Sequence, residues 1–468
     1  VRTELKSYRA EARDKAIAEM EVGGGFLLIN EQRTGKTQIA LAIAEHFRTK
    51  APNCLLIVCP KAAIKVWEEA VAEEYKRGTF AEIIITNYEQ IAINRIAWYK
   101  WADKIKNRFI VIADEVHMIK DRGSKRSGAL RTLAKRARYK LGLTGTPIEK
   151  SLVDCWPLFD FINPKIFGPY DDQIDKKTKK VKKIGFDTRY VIWGGFRNHE
   201  IVGYQNEKEF KKIFHKHSYR ITLNEAKERD GKPPVILHYQ RALFELSGRT
   251  RKIYDELQEK LYAEIDKKKI KVKNVLACIT KLQQITGGFL RETWLEEVPT
   301  KKRGRFRLVK RFKDHPIGDE KIEKLHEKLR SLRPNSKFII ICRYLWEIET
   351  LYAWLLKHGY QIDIVRGGMP YVGKIRGDGL LLQIASGVAV DMSEADTIFF
   401  YSTDYSSIKF EQARFRILAY DKDRTGRYVF LLAKNTVDEL IYEAISQKKK
   451  LADLVIDKYR HRTRGSEP

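Results

Sequence analysis

Phe26-Leu27-Leu28-Ile29 followed by Asn30-Glu31-Gln32-Arg33-Thr34-Gly35-Lys36-Thr37 is an apolar run, a polar turn and a Gly-Lys-Thr, with an amphipathic stretch from Gln38 to Phe47 behind it. Strand, loop and helix in that order are the mechanical requirement of a P-loop. The end of a strand and the start of a helix form a concavity of backbone N–H groups, and the helix dipole faces the anion held there. Gln32, Thr34, Gly35, Lys36 and Thr37 are then the phosphate-binding candidates. Lys36 reaches the β- and γ-phosphates, and the Thr37 hydroxyl holds a magnesium ion. The first glycine of the usual pattern is Asn30 here.

Asp114-Glu115-Val116-His117 is the second motif, and together with the P-loop it describes an ATP site. It follows Phe109-Ile110-Val111-Ile112-Ala113, an apolar and partly β-branched run that reads as a fully buried parallel strand. Asp114 and Glu115 therefore stand at a strand's carboxyl end, where open α/β sheets bind ligands. Asp114 is placed to hold magnesium through its water shell, and Glu115 to orient and deprotonate an attacking water. The cofactors expected are ATP and Mg2+.

The chain has 468 residues, room for two or three domains, and its hydrophobic fraction of 43% is that of a soluble globular protein. No apolar run approaches a membrane span and no signal peptide opens the sequence, so a cytoplasmic protein of a bacterial or phage-infected cell is expected. Ninety Lys and Arg against 61 Asp and Glu leave a net charge of +29, which favours a polyanionic partner. The excess is clustered. Six lysines fall within residues 176–183, five within 267–273, and eight basic residues within 301–313. In the last cluster Phe306, Leu308, Val309 and Phe312 interleave with Lys301, Lys302, Arg303, Arg305, Arg307, Lys310, Arg311 and Lys313. That mixture is unlike a solvated helix face and predicts a basic hairpin or loop lying along phosphates. The five cysteines match no zinc spacing and read as reduced core thiols.

Strands are expected at 26–30, 54–59, 82–86, 109–113 and 139–143, and again at 337–342, 361–365, 380–384, 397–401 and 428–432, with helices between them. A doubly wound, mostly parallel α/β sheet in each half follows. The intervening region, 168–335, reads as irregular and then helical, with helices at 250–269 and 277–284. A helix near 437–458 closes the pattern before a polar tail at 460–468.

With these motifs in order, the chain resembles the superfamily 2 helicase-type ATPases, and within them the Swi/Snf-type DNA translocases. Leu5-Lys6-Ser7-Tyr8 is similar to the family's entry motif, with Arg9 where a glutamine is usual; Leu55 to Pro60 with Trp67, Ile85 to Tyr88, and Leu143-Thr144-Gly145-Thr146-Pro147 with Trp156 and Asn163-Pro164 match later motifs. The second half matches more loosely, through Lys337 to Cys342, Ala385 to Met392, and Tyr405-Ser406-Ser407 leading to Gln412 and Arg416.

The resemblance implies two RecA-like lobes, residues 1–167 and 336–459, with a helical and basic insertion between them. It implies that Tyr8 packs on adenine and that His117, Thr144, Thr146 and Gln412 couple hydrolysis to motion. Arg416 becomes the arginine that faces the γ-phosphate from the opposite lobe, making hydrolysis depend on closure. Lys61, Thr86 and Arg343 are implied as nucleic-acid contacts. The second arginine usual three residues beyond the first is Ala419, so weak or gated turnover is a consequence to test. The implied activity is an ATP-driven motor on double-stranded or branched DNA, a translocase or helicase able to remodel forks or migrate branches. An RNA-dependent ATPase and a nucleic-acid-binding ATP switch or scaffold remain as alternatives.

Overall fold

The computed structural model describes residues 5, 7–49, 54–75, 80–145, 152–175, 178, 180–195, 200–266, 272–299, 306–367, 375–384, 392–405, 410, 413, 417–418 and 426–447, with the backbone alone at 7, 182, 261–266 and 272–274. The chain divides into two compact units, Val1–Pro234 and Val235–Pro468. The stretch 168–335, read from sequence as one linking region, is therefore shared between them.

In the first unit, α1 (Ser7–Gly23) places Tyr8, Ala12, Ala16 and Met20 inward at a spacing of four, the period that aligns side chains on one helical face. Six strands form one sheet: β1 (Gly25–Leu28), β2 (Cys54–Cys59), β3 (Glu82–Asn87), β4 (Phe109–Ala113), β5 (Tyr139–Leu143) and β6 (Ser218–Tyr219). Their order is β6-β1-β5-β4-β2-β3 and every pairing is parallel. β1, β2 and β4 are buried at every position, which is why their sequences are continuous apolar runs rather than alternating ones. The helix α2 (Lys36–Arg48) leaves the end of β1, its N-terminus at the sheet's carboxyl edge.

The second unit repeats the scheme. β7 (Leu237–Phe244), β10 (Phe338–Cys342), β11 (Ile362–Val365), β12 (Gly379–Gln383), β13 (Thr397–Phe400) and β14 (Gly426–Ala433) pair in the order β7-β14-β13-β10-β12-β11, again all parallel. Between β7 and β10 an antiparallel ribbon, β8 (Phe289–Pro299) with β9 (Phe306–Pro316), runs in unbroken register. The hairpin expected around 301–313 is thus present in its strand part, while residues 300–305 lie outside the described residues.

β6 and β7, each at one edge of its sheet, come from the stretch that reads as irregular. β6 has two residues, and four of the eight in β7 (His238 to Arg241) are exposed, so neither carries the apolar run that marks the other strands. Two further short antiparallel pairs, 173–174 with 181–183 and 191–194 with 200–204, were likewise not expected. They surround an aromatic cluster in which Phe167 stacks on Phe210 and packs edge-on to Phe186 and Tyr190. No helix among the described residues is long and apolar enough to cross a membrane.

Candidate active site

With β5 between β1 and β4, the loops after β1 and β4 lie about 10 Å apart, two strand spacings. Three segments meet at that carboxyl edge: the P-loop after β1, Thr144-Gly145 after β5, and Asp114-Glu115 after β4.

Gly35 stands at φ 83°, a left-handed conformation that lets the chain turn directly into α2. A Cβ there would also lie 2.6 Å from the Arg9 Nε. Arg9 crosses the loop, donating from Nε to the Tyr8 hydroxyl at 3.0 Å and from a terminal nitrogen to Gln38 Oε1 at 2.6 Å. Tyr8 is itself buried, and its hydroxyl donates to the Thr34 carbonyl at 3.0 Å, bracing the loop from α1. Thr34 is turned into the loop as well, its hydroxyl donating to the Glu31 carbonyl at 2.7 Å. Arg33 sits at φ 68°, unusual for a side chain of its size.

Lys36 folds back over the loop and donates to the carbonyls of Asn30 (2.9 Å) and Glu31 (3.1 Å). Burial lowers its pKa, and the charges of Glu115 and Asp114 oppose that shift. Asn30 is fully buried with neither side-chain polar atom hydrogen-bonded, a cost of roughly 1–3 kcal/mol per group.

Across the edge, Asp114 is held on both oxygens. Oδ2 accepts from the Trp67 indole N–H at 2.9 Å and Oδ1 from the Glu115 backbone N–H at 2.9 Å, while the Tyr88 hydroxyl donates to the Asp114 carbonyl. Burial and the neighbouring Glu115 charge nevertheless push its carboxyl up to about 6. Glu115 turns at φ 51°, and its titration is displaced the other way. Burial alone would raise it, but contact with His117, the Lys36 charge and a hydrogen bond from the Gly145 backbone together outweigh that. Adjacent carboxyls with opposed shifts are the signature of a site that divides roles between two acids.

His117 Nδ1 lies 3.2 Å from Glu115 Oε2 and 3.1 Å from Thr144 Oγ1. The Glu115 contact is a close approach rather than a well-aligned hydrogen bond, since Oε2 has no hydrogen-bond partner. One ring thus joins the acid after β4 to the turn after β5. Gly145 then closes on the P-loop: a Cβ there would stand 3.1 Å from Gln32 Cγ and 3.3 Å from Lys36 Nζ.

The structure therefore brings Gln32, Thr34, Gly35, Lys36 and Thr37 together with Asp114, Glu115, His117 and Thr144. Tyr8 is adjacent but buried. Of the implied nucleic-acid contacts, Lys61 is exposed at the end of β2, whereas Thr86 is buried in β3. In the second unit, Arg343 donates to Gln283 Oε1 at 2.7 Å and lies over the Tyr405 ring at 4.1 Å. Arg307, Lys310 and Arg311 lie on β9. Thr146, Gln412, Arg416, Ala419, Lys301, Lys302, Arg303 and Arg305 lie outside the described residues. Sequence reading missed the parts played by Trp67, Tyr88, Gly145 and Arg9, all of them partners across the fold rather than along the chain.

Magnesium fits this edge. Among the described residues no cluster of three or more His, Cys, Asp and Glu side chains could hold a metal alone. A hard cation that needs only one or two carboxylates and completes its shell with phosphate and water suits a site with two paired acids and one threonine hydroxyl. The described cysteines are free thiols, and burial pushes Cys54 and Cys59 up to about 12, as inert core residues require.

Residues 70–287 match the family model of the SNF2-related domain. The chain is 23% identical over 488 aligned residues to an uncharacterized ATP-dependent helicase of Mycoplasma genitalium, covering 96% of this chain and 42% of that protein. It is 22% identical over 507 residues to the chromodomain-helicase-DNA-binding protein 1-like of Mus musculus, covering 97% and 50%. Among solved structures it aligns with the Sulfolobus solfataricus SWI2/SNF2 ATPase core in complex with dsDNA at a TM-score of 0.41 and 17% identity, over 98% of this chain and 94% of that one. The chain spans half or less of the length of these two curated relatives.

Proposed function

We propose that this chain is the motor portion of an ATP-dependent DNA translocase or helicase, hydrolysing ATP to move along or remodel duplex or branched DNA. One observation carries the reading: the P-loop lysine, the two acids and the Thr144 turn converge on one sheet edge, with His117 joining the last two. A P-loop alone binds nucleotide; a ring that bridges the water-activating acid to a neighbouring strand end gives hydrolysis a lever. The two curated relatives, an ATP-dependent helicase and a chromodomain-helicase-DNA-binding protein 1-like, support the same class, as does the net charge of +29.

In this reading the N–H groups at the start of α2 cradle the phosphates, and Lys36 exchanges the carbonyls of Asn30 and Glu31 for phosphate oxygens. Thr37 and Asp114 would hold magnesium, which when bound neutralises phosphate charge. Glu115, kept ionised by His117 and Lys36, orients a water and takes its proton at the carboxylate. Protonation of Glu115 weakens its attraction for His117, and the ring's other partner, Thr144, feels the change. Arg416 is the proposed arginine that stabilises transition-state charge on the γ-phosphate. Gripping the backbone rather than the bases predicts little sequence preference and a steep fall in affinity with salt.

The test is steady-state ATP hydrolysis with duplex, forked and single-stranded DNA and with RNA, using Glu115→Gln as the blank. Strong stimulation by duplex or forked DNA, absent in the variant, is expected. Stimulation by RNA alone would replace DNA as the track, and hydrolysis at the level of the blank on every polynucleotide would overturn the motor reading.

A further inference from the structure

The ribbon β8–β9 is built unlike any other element among the described residues. Its root is fixed: Phe289 is fully buried and stacks on Trp346, and the Arg291 guanidinium makes two contacts of 2.7 Å with the Asp314 carboxylate. Beyond that ion pair the two strands continue, fully paired, for eight more residue pairs from Glu292↔Lys313 to Pro299↔Phe306. Most side chains along that length are exposed. A two-stranded ribbon alone is marginal in water, so this length without a covering layer calls for a reason.

Because the register is unbroken, side chains alternate strictly between the two faces. Phe306, Leu308, Lys310 and Phe312 share one face with Leu295, which stands directly opposite Lys310. Phe306 and Leu308 are each 63% exposed and Phe312 56%. Arg307, Arg311 and Lys313 fall on the other face with Trp294. Arg311 is matched by Glu296, but Arg307, Lys310 and Lys313 have no carboxylate partner among the described residues.

We propose that the Phe306–Phe312 face of the ribbon takes the unpaired bases of single-stranded or forked nucleic acid, with Lys310 of the same face on the accompanying phosphates. This assignment rests on the nucleic-acid reading given above. Exposed aromatic rings on one face with a lysine between them, Lys310 opposite Leu295, are the chemistry that recognises bases stripped of their neighbours, and Glu297, opposite Leu308, is the one acid on that stretch. Paired duplex bases bury their π-faces in the stack and offer these rings nothing. The steps along the face are about 7 Å, twice the strand rise, and so match a stretched single strand better than the roughly 3.4 Å repeat of stacked duplex. Arg291 already lies over the Phe312 ring at 4.1 Å, holding it in place while more than half of the residue stays exposed.

The experiment compares binding of the full chain to a single-stranded oligonucleotide and to an abasic strand of equal length and charge, at one salt concentration. Tighter binding to the base-bearing strand is expected, on the order of tenfold for each stacked base. Phe306→Ala with Phe312→Ala should bring both strands to the abasic level, whereas Phe306→Tyr with Phe312→Tyr should keep the preference. Duplex-stimulated ATP hydrolysis should be unchanged in both pairs, which also reports that they fold. Equal affinity of the unsubstituted chain for both strands, or an undiminished preference in the alanine pair, would overturn the proposal. So would concentration-dependent dimerisation, seen by sedimentation, that the alanine pair abolishes, because the face would then serve a second copy. Duplex-stimulated hydrolysis without a base preference removes only the ribbon assignment; a base preference without stimulation on any polynucleotide removes only the motor.

Discussion

The carboxyl edges of the two parallel sheets face opposite problems. In the first unit the edge gathers Lys36, Asp114 and Glu115 with their charges incompletely matched, and shifts the two acids in opposite directions. In the second unit the charges near β10, β13 and β14 are spent on one another. Lys321 and Asp438 form a fully buried pair at 2.8 Å, and Asp438 also accepts from Thr286 at 2.8 Å. Glu347 accepts from the backbone N–H groups of Arg343 (3.2 Å) and Tyr344 (3.1 Å) and from the Ser402 hydroxyl, so it pins the turn that carries Arg343. The first edge keeps its charges available to a ligand; the second uses them to hold its own loops. The same fold thus supplies a chemical edge and a braced one.

Substitutions can separate the two. Glu115→Gln should lower ATP hydrolysis by about 100- to 10,000-fold, the range for loss of a general base, while differential scanning calorimetry finds the fold nearly unaltered. A comparable loss of stability would mean that this acid is structural too. Lys321→Ala should do the reverse. Leaving Asp438 buried without its partner should destabilise the second unit by about 3–5 kcal/mol, read as a drop in the denaturation midpoint.

Glu347 gives the pH dependence. Burial raises its carboxyl to about 7, against a partial opposing effect of Ser402 and Lys321. Between the unfolded value near 4.5 and the folded value the native state binds a proton that the unfolded chain has released. Its contribution to stability is therefore complete below about pH 4.5 and is lost as pH rises through 7. Glu347→Gln should remove that dependence, so that between pH 5 and pH 8 the unsubstituted chain loses up to about 3 kcal/mol more than the variant. Parallel curves in urea titrations at the two pH values would show that Glu347 stays ionised.

The smallest effect belongs to the link between strands. His117→Ala should leave ATP affinity in place and reduce the stimulation of hydrolysis by DNA by roughly 2- to 30-fold, the range of coupling energies carried by one element. An unaltered ratio of stimulated to basal rate would remove His117 from the coupling path.

What could be read along the chain was what local physics dictates. A parallel strand buried on both faces must be apolar throughout, so 54–59 and 109–113 appear with the same boundaries in sequence and structure. Gly35-Lys36-Thr37 is legible because only glycine accepts the φ required there without strain. β6 and β7 were not legible: β6 has two residues and half of β7 is exposed, so neither carries an apolar run, and only the neighbouring strand makes them strands. The same holds for Trp67, whose indole reaches Asp114 from 47 positions earlier, and for Glu31, whose carboxylate accepts the Leu223 N–H from 192 positions away.

The sequence by itself determined the class of fold, the phosphate loop and the pair of acids, because strand periodicity, helix starts and turn chemistry are set by residues a few positions apart. Tertiary structure alone decided that Tyr8 braces the loop from within, that Gly145 leaves room beside Lys36 where a Cβ would crowd it, and that one ring of His117 serves two strands. It also set the ribbon's two faces apart, since a face exists only once register fixes which side chains stand opposite. Those are contacts between distant residues, and their geometry follows from which strands the sheet places side by side.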